Sequence, residues 1–135
     1  MSSYKRKWLT KRDIYRKPGD LYLTRYVLIH TKLIAIYVHK FWMSDHDVPH
    51  DHPGNFFSLP LATGYTEHLP DGTAVWRGPL SPKFRTAEEF HWVELNKGPA
   101  LTLFIRFRSR RNWGFLTPNG WMGHDEYTKT LEMEE

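Results

Sequence analysis

Cysteine is absent from the 135 residues. That excludes disulfides, zinc-thiolate clusters and a cysteine nucleophile, and leaves nitrogen and oxygen as the donors for any metal. Long apolar runs are lacking too: no stretch approaches the roughly 18 residues of a membrane span, and the basic first twenty residues hold no apolar segment of signal-peptide length. The expectation is an intracellular protein of the cytoplasm with no membrane partner. No polar linker or internal repeat divides the chain, so a single domain with one core is expected. Gly and Pro, nine of each, are scattered at turn-like intervals rather than gathered in one tract, and aromatic residues reach 16 %, a globular profile.

Positive charge is concentrated at one end. Residues 1–17 carry seven Lys and Arg against the single acid Asp13, a net +6, so the remainder is −2. This divides the chain into a basic N-terminal arm (1–18), a body (19–125) and an acidic tail (126–135). The arm reads first as a solvated charged segment; Tyr4, Trp8 and Tyr15, interleaved with cations from Lys5 to Lys17, also give it the composition of a nucleic-acid contact.

The body reads as short strands. Residues 21–29 and 33–42 are rich in β-branched and aromatic side chains and pair after the turn at Lys17-Pro18-Gly19-Asp20. A loop over 44–49 leads to His50-Asp51-His52-Pro53 and an apolar strand over 55–63, in which Pro60 predicts a bulge or an edge. Residues 65–69 and 74–77 flank Asp71-Gly72, a hairpin signal, and strands follow over 90–95 and 101–107. Only the arm and residues 86–89 are compatible with short helices. Strands at this spacing predict an all-β sandwich or barrel. The aromatic segment 112–124 is expected to pack over the barrel mouth, and 131–135 to fray.

Histidine carries the chemistry, with eight residues. His50 and His52 stand two apart, so an extended backbone sends both imidazoles from one face. His91 shares a face with Val93 and Leu95 by the same period, which turns it inward. Three imidazoles suit one divalent ion with coordination positions left open for substrate; the alternative is three locally hydrogen-bonded side chains. Asp51 points to the opposite face, in a surface or supporting role. His46, in the 44–49 loop, is a candidate gate or acid-base group, and nothing singles out His30, His39 or His124.

From about Leu21 to Trp121, the chain resembles the cupin superfamily, in particular small bacteriophage-type cupin-like proteins. His50-Asp51-His52-Pro53, the apolar strand, Gly64-Tyr65-Thr66-Glu67-His68, His91-Trp92-Val93-Glu94-Leu95 and Trp113-Gly114-Phe115-Leu116-Thr117-Pro118 carry that likeness. It implies a single-domain β-barrel of the jelly-roll type. The glutamate that follows the His-x-His pair in the general pattern falls here at Phe56 or Phe57, and the Pro-x-Gly ahead of the last histidine is missing around residues 85–90. The departure resembles the three-histidine iron sites of the cysteine dioxygenase branch, and leaves Glu67 or His68 as an alternative fourth ligand.

The resemblance implies one divalent metal on His50, His52 and His91, with Fe(II) favoured and Zn(II), Mn(II) or Ni(II) as alternatives. Iron would support dioxygenase-like chemistry on a small polar substrate, and the other ions isomerase, lyase or hydrolytic chemistry. Tyr65, Glu67, His68 and Arg106 are the candidate pocket groups, Arg106 meeting either an anionic substrate or solvent. A non-catalytic ligand-binding or structural barrel, which could bury a homodimer interface, is the second reading. A bacterial host's cytoplasm is the implied location.

Overall fold

The computed structural model describes residues 10–45 and 48–133. Eleven strands and one helix follow one another: β1 (Thr10–Lys17), β2 (Asp20–His30), β3 (Ala35–Phe41), β4 (Phe56–Ala62), β5 (Tyr65–His68), β6 (Ala74–Arg77), β7 (Lys83–Arg85), β8 (Trp92–Glu94), β9 (Ala100–Arg106), β10 (Gly114–Thr117), β11 (Gly120–Gly123) and α1 (His124–Met133). Six strands form one antiparallel sheet in the order β1-β2-β3-β9-β4-β7. Three more pair as β6-β5-β8, and β10-β11 is a separate hairpin. This is the expected all-β, single-domain barrel of the jelly-roll type.

Period-two alternation sorts the large sheet into two faces. On β3, Ala35, Tyr37 and His39 are buried while their neighbours are only partly so. The register places Arg25, Val27 and Leu23 of β2 opposite His39, Tyr37 and Phe41, and Thr102, Phe104 and Arg106 of β9 opposite His39, Tyr37 and Ala35. Phe56 and Ser58 of β4 continue those rows. Directly opposed side chains share a face, so these residues make one concave inner surface. Val27, Ala35 and Tyr37 pack together there with Phe104, and a second cluster of Tyr65, Val93 and Ala100 packs with Leu95.

Three elements differ from the sequence reading. The arm is no helix from Thr10 onward: it is strand β1, paired along its length with β2, and its charges suit an edge strand that must not recruit another sheet. Lys5, Tyr4 and Trp8 lie outside the described residues. The stretch 86–89 is a turn, closed by Glu89 N–H donating to Thr86 O and by Glu89 Oε2 accepting from Thr86 N–H. A helix, α1, occupies His124–Met133, where none was expected, and takes in most of the acidic tail; Asp125 and Glu126 sit in its first turn, where the helix dipole favours acids. Tyr127 stacks on Phe115 at 4.1 Å and His124 on Trp113 at 4.5 Å, so the aromatic segment does pack back on the body.

Pro60 is internal rather than at an edge, between β9 and the loop before β7. A register shift between Pro60 and Ala62 absorbs its missing donor. The corner from β4 to β5 turns on Thr63 and Gly64, at φ 74° and 77°. A Cβ on Gly64 would stand 2.5 Å from the carbonyl oxygen of Arg77, so only glycine brings β5 this close to β6.

Candidate metal centre

The His50-Asp51-His52 segment lies across the barrel end, tied to three other parts of the chain through its backbone. His50 and His91 exchange both N–H···O bonds, at 2.9 and 3.1 Å; Asp51 N–H donates to Gly114 O and His52 N–H to Ala87 O, each at 3.0 Å. These bonds hold the segment extended, so the imidazoles of His50 and His52 leave one side and the Asp51 carboxylate leaves the other. The three histidine rings meet with centroids 4.9–5.0 Å apart, and one nitrogen from each lies within 4.8 Å of the others. The expected trio is therefore brought together.

Burial keeps two of the three histidines neutral. It pushes His50 down to about 4, against the opposing attraction of Asp45, whose Oδ2 stands 3.9 Å from His50 Nδ1. His52 is held well below the ordinary histidine value by burial and then by the two neighbouring histidines. Neutral imidazole is the form that binds metal. The Nδ1 of His52 is also buried without a hydrogen-bond partner. An unsatisfied buried polar atom is costly, and a cation bound among the three rings accounts for one such nitrogen. The donor set therefore fits a divalent metal.

His91 is the most firmly oriented of the three. Its Nδ1 lies 2.6 Å from Glu67 Oε2; an ionised carboxylate only accepts, so Nδ1 carries a proton and Nε2 is the nitrogen left for the cluster. Glu67 is 3 % exposed. Its Oε2 accepts from Arg85 Nε at 2.7 Å, and its Oε1 from Arg85 Nη2 at 2.7 Å and from Arg77 Nη2 at 3.0 Å. Burial raises the Glu67 carboxyl, but hydrogen bonds from His91 and Arg85, with the charges behind them, outweigh it and hold the group well below the carboxylate range. With both oxygens so engaged, Glu67 supports a ligand and is not a fourth ligand itself.

The remaining sequence-based candidates separate. Tyr65 lines the cavity, its hydroxyl 3.0 Å from Ser58 Oγ. His68 does not reach the cavity: it leaves β5 on the face opposite Glu67, stacks flat on Trp92 at 3.8 Å and meets Glu94 Oε1 at 2.9 Å. Arg106 is not solvated. It is 4 % exposed and donates to the carbonyls of Thr31 and Phe107 at 2.9 Å, as well as lining the cavity. Asp51 is no surface residue either, at 1 % exposed. It accepts from Gly114 N–H and Arg111 Nη1, both at 2.7 Å, and from Trp121 Nε1 at 3.0 Å. His46 lies outside the described residues.

The cavity in front of the histidines measures about 950 Å³, within the range of small-molecule sites. Sequence reasoning missed several of its walls. Tyr37, His39 and Arg25 line it; the alternation of Tyr37, His39 and Phe41 with aliphatic and basic neighbours was the available signal. Asp45, in the 44–49 loop, is fixed there by hydrogen bonds from Tyr22 Oη and from Val93 N–H.

No protein-family model and no curated protein matches the chain. Solved structures do. Fe(II) HppE is similar over 76 % of this chain and 57 % of its own, with a TM-score of 0.62 and 15 % identity. Hydroxypropylphosphonic acid epoxidase from S. wedmorenis is similar over 72 % and 55 %, with a TM-score of 0.58 and 16 % identity. DMSP lyase DddQ from Ruegeria pomeroyi DSS-3 is similar over 83 % and 63 %, with a TM-score of 0.64 and 16 % identity. These neighbours have the cupin fold, and so does this chain, which spans about three fifths of their length. At such identities the likeness extends to the fold alone. Among the described residues, no helix is long and apolar enough to cross a membrane.

Proposed function

We propose that the chain is a mononuclear non-haem metalloenzyme, dioxygenase-like, that takes a small polar substrate into the barrel. One observation carries this reading: three imidazoles, those of His50 and His52 held neutral by burial, converge at the end of a cavity, and that of His91 is oriented from behind by an ionised carboxylate. A purely structural site would be closed by its protein ligands, whereas this one faces open space. Three histidines without an acid suit Fe(II), and one neighbour is described as an Fe(II) form. Bound there, iron would supply electron transfer to oxygen and substrate. Activity in a bacterial cytoplasm belongs to the same proposal.

The chain's own residues have definite tasks under this reading. Glu67 keeps the proton of His91 on Nδ1, so Nε2 faces the cluster. Phe56, 4.1 Å from the His52 ring, and Phe104, 5.0 Å from Phe56, exclude water from one side. Tyr65 offers a hydroxyl at the cavity wall, and burial raises its pKa, so it stays a proton donor.

Elemental analysis of untagged protein tests the reading. Near-stoichiometric iron, lost in His50→Ala and His91→Ala variants that still melt cooperatively, is the expected result. Zinc or manganese would redirect the chemistry to Lewis-acid catalysis, and absence of metal after every loading condition would overturn the proposal in favour of a non-catalytic barrel.

A further inference from the structure

One row of the inner surface is left without its counter-charge. The sheet register runs Arg12 of β1 opposite Arg25 of β2, Arg25 opposite His39 of β3, and His39 opposite Thr102 of β9. All four line the cavity. Two arginines directly opposed across a ladder repel one another; Arg12 is exposed to solvent, whereas Arg25 is partly buried. Among the described residues, Arg25 has no carboxylate partner: its Nε donates to His39 Nε2 at 3.0 Å and its guanidinium lies over the Tyr37 ring at 4.3 Å. The two Nη groups have no hydrogen-bond partner among those residues. The charges acting on Arg25 include Arg12 and Arg106, both lowering its pKa after burial itself. Of the acids lining the cavity, Asp45 is engaged by Tyr22 and Val93.

At the far end of the row, the Thr102 hydroxyl is buried and unpartnered. Thr102 is 2 % exposed, so this is a second independent sign of a missing polar occupant. Tyr37 and His39 hold the Arg25 guanidinium in place, one by its ring face and the other by an accepting nitrogen. A planar guanidinium with free Nη donors matches an oxyanion in bidentate fashion.

We infer that the row Arg12, Arg25, His39 and Thr102 is an anion subsite that takes the carboxylate or phosphate group of the substrate, on the premise of the metal-enzyme reading above. Phe104 stands between this subsite and the metal centre, its ring 5.2 Å from His39 and 6.4 Å from His52. The substrate is therefore a small monoanionic or dianionic molecule whose charged group sits one aromatic ring's width from the reacting atom.

Calorimetric titration of the full chain with acetate, inorganic phosphate and neutral acetamide, at constant ionic strength, tests the subsite. Saturable binding of acetate or phosphate but not acetamide is expected, and Arg25→Gln weakens it about ten-fold while Arg25→Lys weakens it less. Acetate preferred over phosphate assigns a carboxylate, and the reverse a phosphate ester. The same binding must persist in His91→Ala. Loss in His91→Ala with retention in Arg25→Gln would place the anion on the metal and overturn the subsite. Anion binding by a wild-type chain that takes up no metal under any loading condition would sink the metal reading and leave the subsite standing. If Arg25→Gln does not fold, Arg12→Gln on the exposed edge strand takes its place, and unchanged anion binding there overturns the inference.

Discussion

The two ends of the cavity treat charge in opposite ways. At the histidine end each buried carboxylate is matched: Glu67 lies between Arg85, Arg77 and His91, and Asp51 between Arg111, Trp121 and the Gly114 amide. At the other end, Arg12 and Arg25 face each other with no acid between them. The first arrangement fixes geometry in the absence of any ligand. The second leaves positive charge on the partly buried Arg25 that an anionic ligand would offset. On the proposed reading, preorganised and unfinished electrostatics divide the labour, the one holding the three histidines still and the other leaving affinity for an anionic substrate.

That contrast can be broken most severely at Glu67. Glu67→Ala leaves Arg85 and Arg77 facing an empty, largely buried position; breaking a buried pair in this way costs about 3–5 kcal/mol, measurable as a large fall in midpoint by urea unfolding. Glu67→Gln retains the shape but not the charge. Since partners behind a ligating histidine affect metal affinity by about 10–100-fold, competition against a chelator is expected to show a loss in that range, with the fold intact by circular dichroism. An unchanged affinity would mean that the carboxylate serves stability alone.

A smaller effect sharpens the other end. Burial, then Arg25, holds His39 well below the ordinary value near 6.5, so below that pH the unfolded chain takes up a proton that the folded one refuses. Stability contributed by neutral His39 is complete above pH 6.5 and declines as the pH falls beneath it. The melting temperature of His39→Gln should therefore fall less steeply than that of the wild type between pH 6.5 and 5, and parallel curves would refute the assignment. Smallest of all is the exposed pair Arg110–Glu88, at 2.7 Å. Such surface pairs contribute little, and Glu88→Gln should leave the thermal midpoint within error.

How much of this was legible in the sequence depended on the range of each contact. His50 and His52 needed only a two-residue period, and His91 only its apolar companions on one face. Glu67 was recognised as a cavity group, but its role was not, because Arg85 reaches it from a different sheet and no local pattern records that β5 and β7 converge. His68 was misplaced by one residue's alternation, which sends it to the opposite face. In the arm, charge obscured a strand: Arg12 and Ile14 face inward while Lys11 and Asp13 do not, a period-two pattern overlaid by a high charge density. Arg106 was read from its own strand alone, which left substrate and solvent as alternatives; besides Phe107, the carbonyls that receive it belong to the turn after β2, some 75 positions earlier.

Asp51 links the metal ligands to the end of the barrel. Its partners Arg111, Gly114 and Trp121 are synthesised sixty to seventy residues after it, and His91 itself follows His50 by forty-one. A nascent chain that has just exposed His50 and His52 lacks every one of these partners. The set of contacts around the three histidines is complete only when the last hairpin has emerged, so on the proposed reading the choice of metal falls to the finished barrel and not to the emerging peptide.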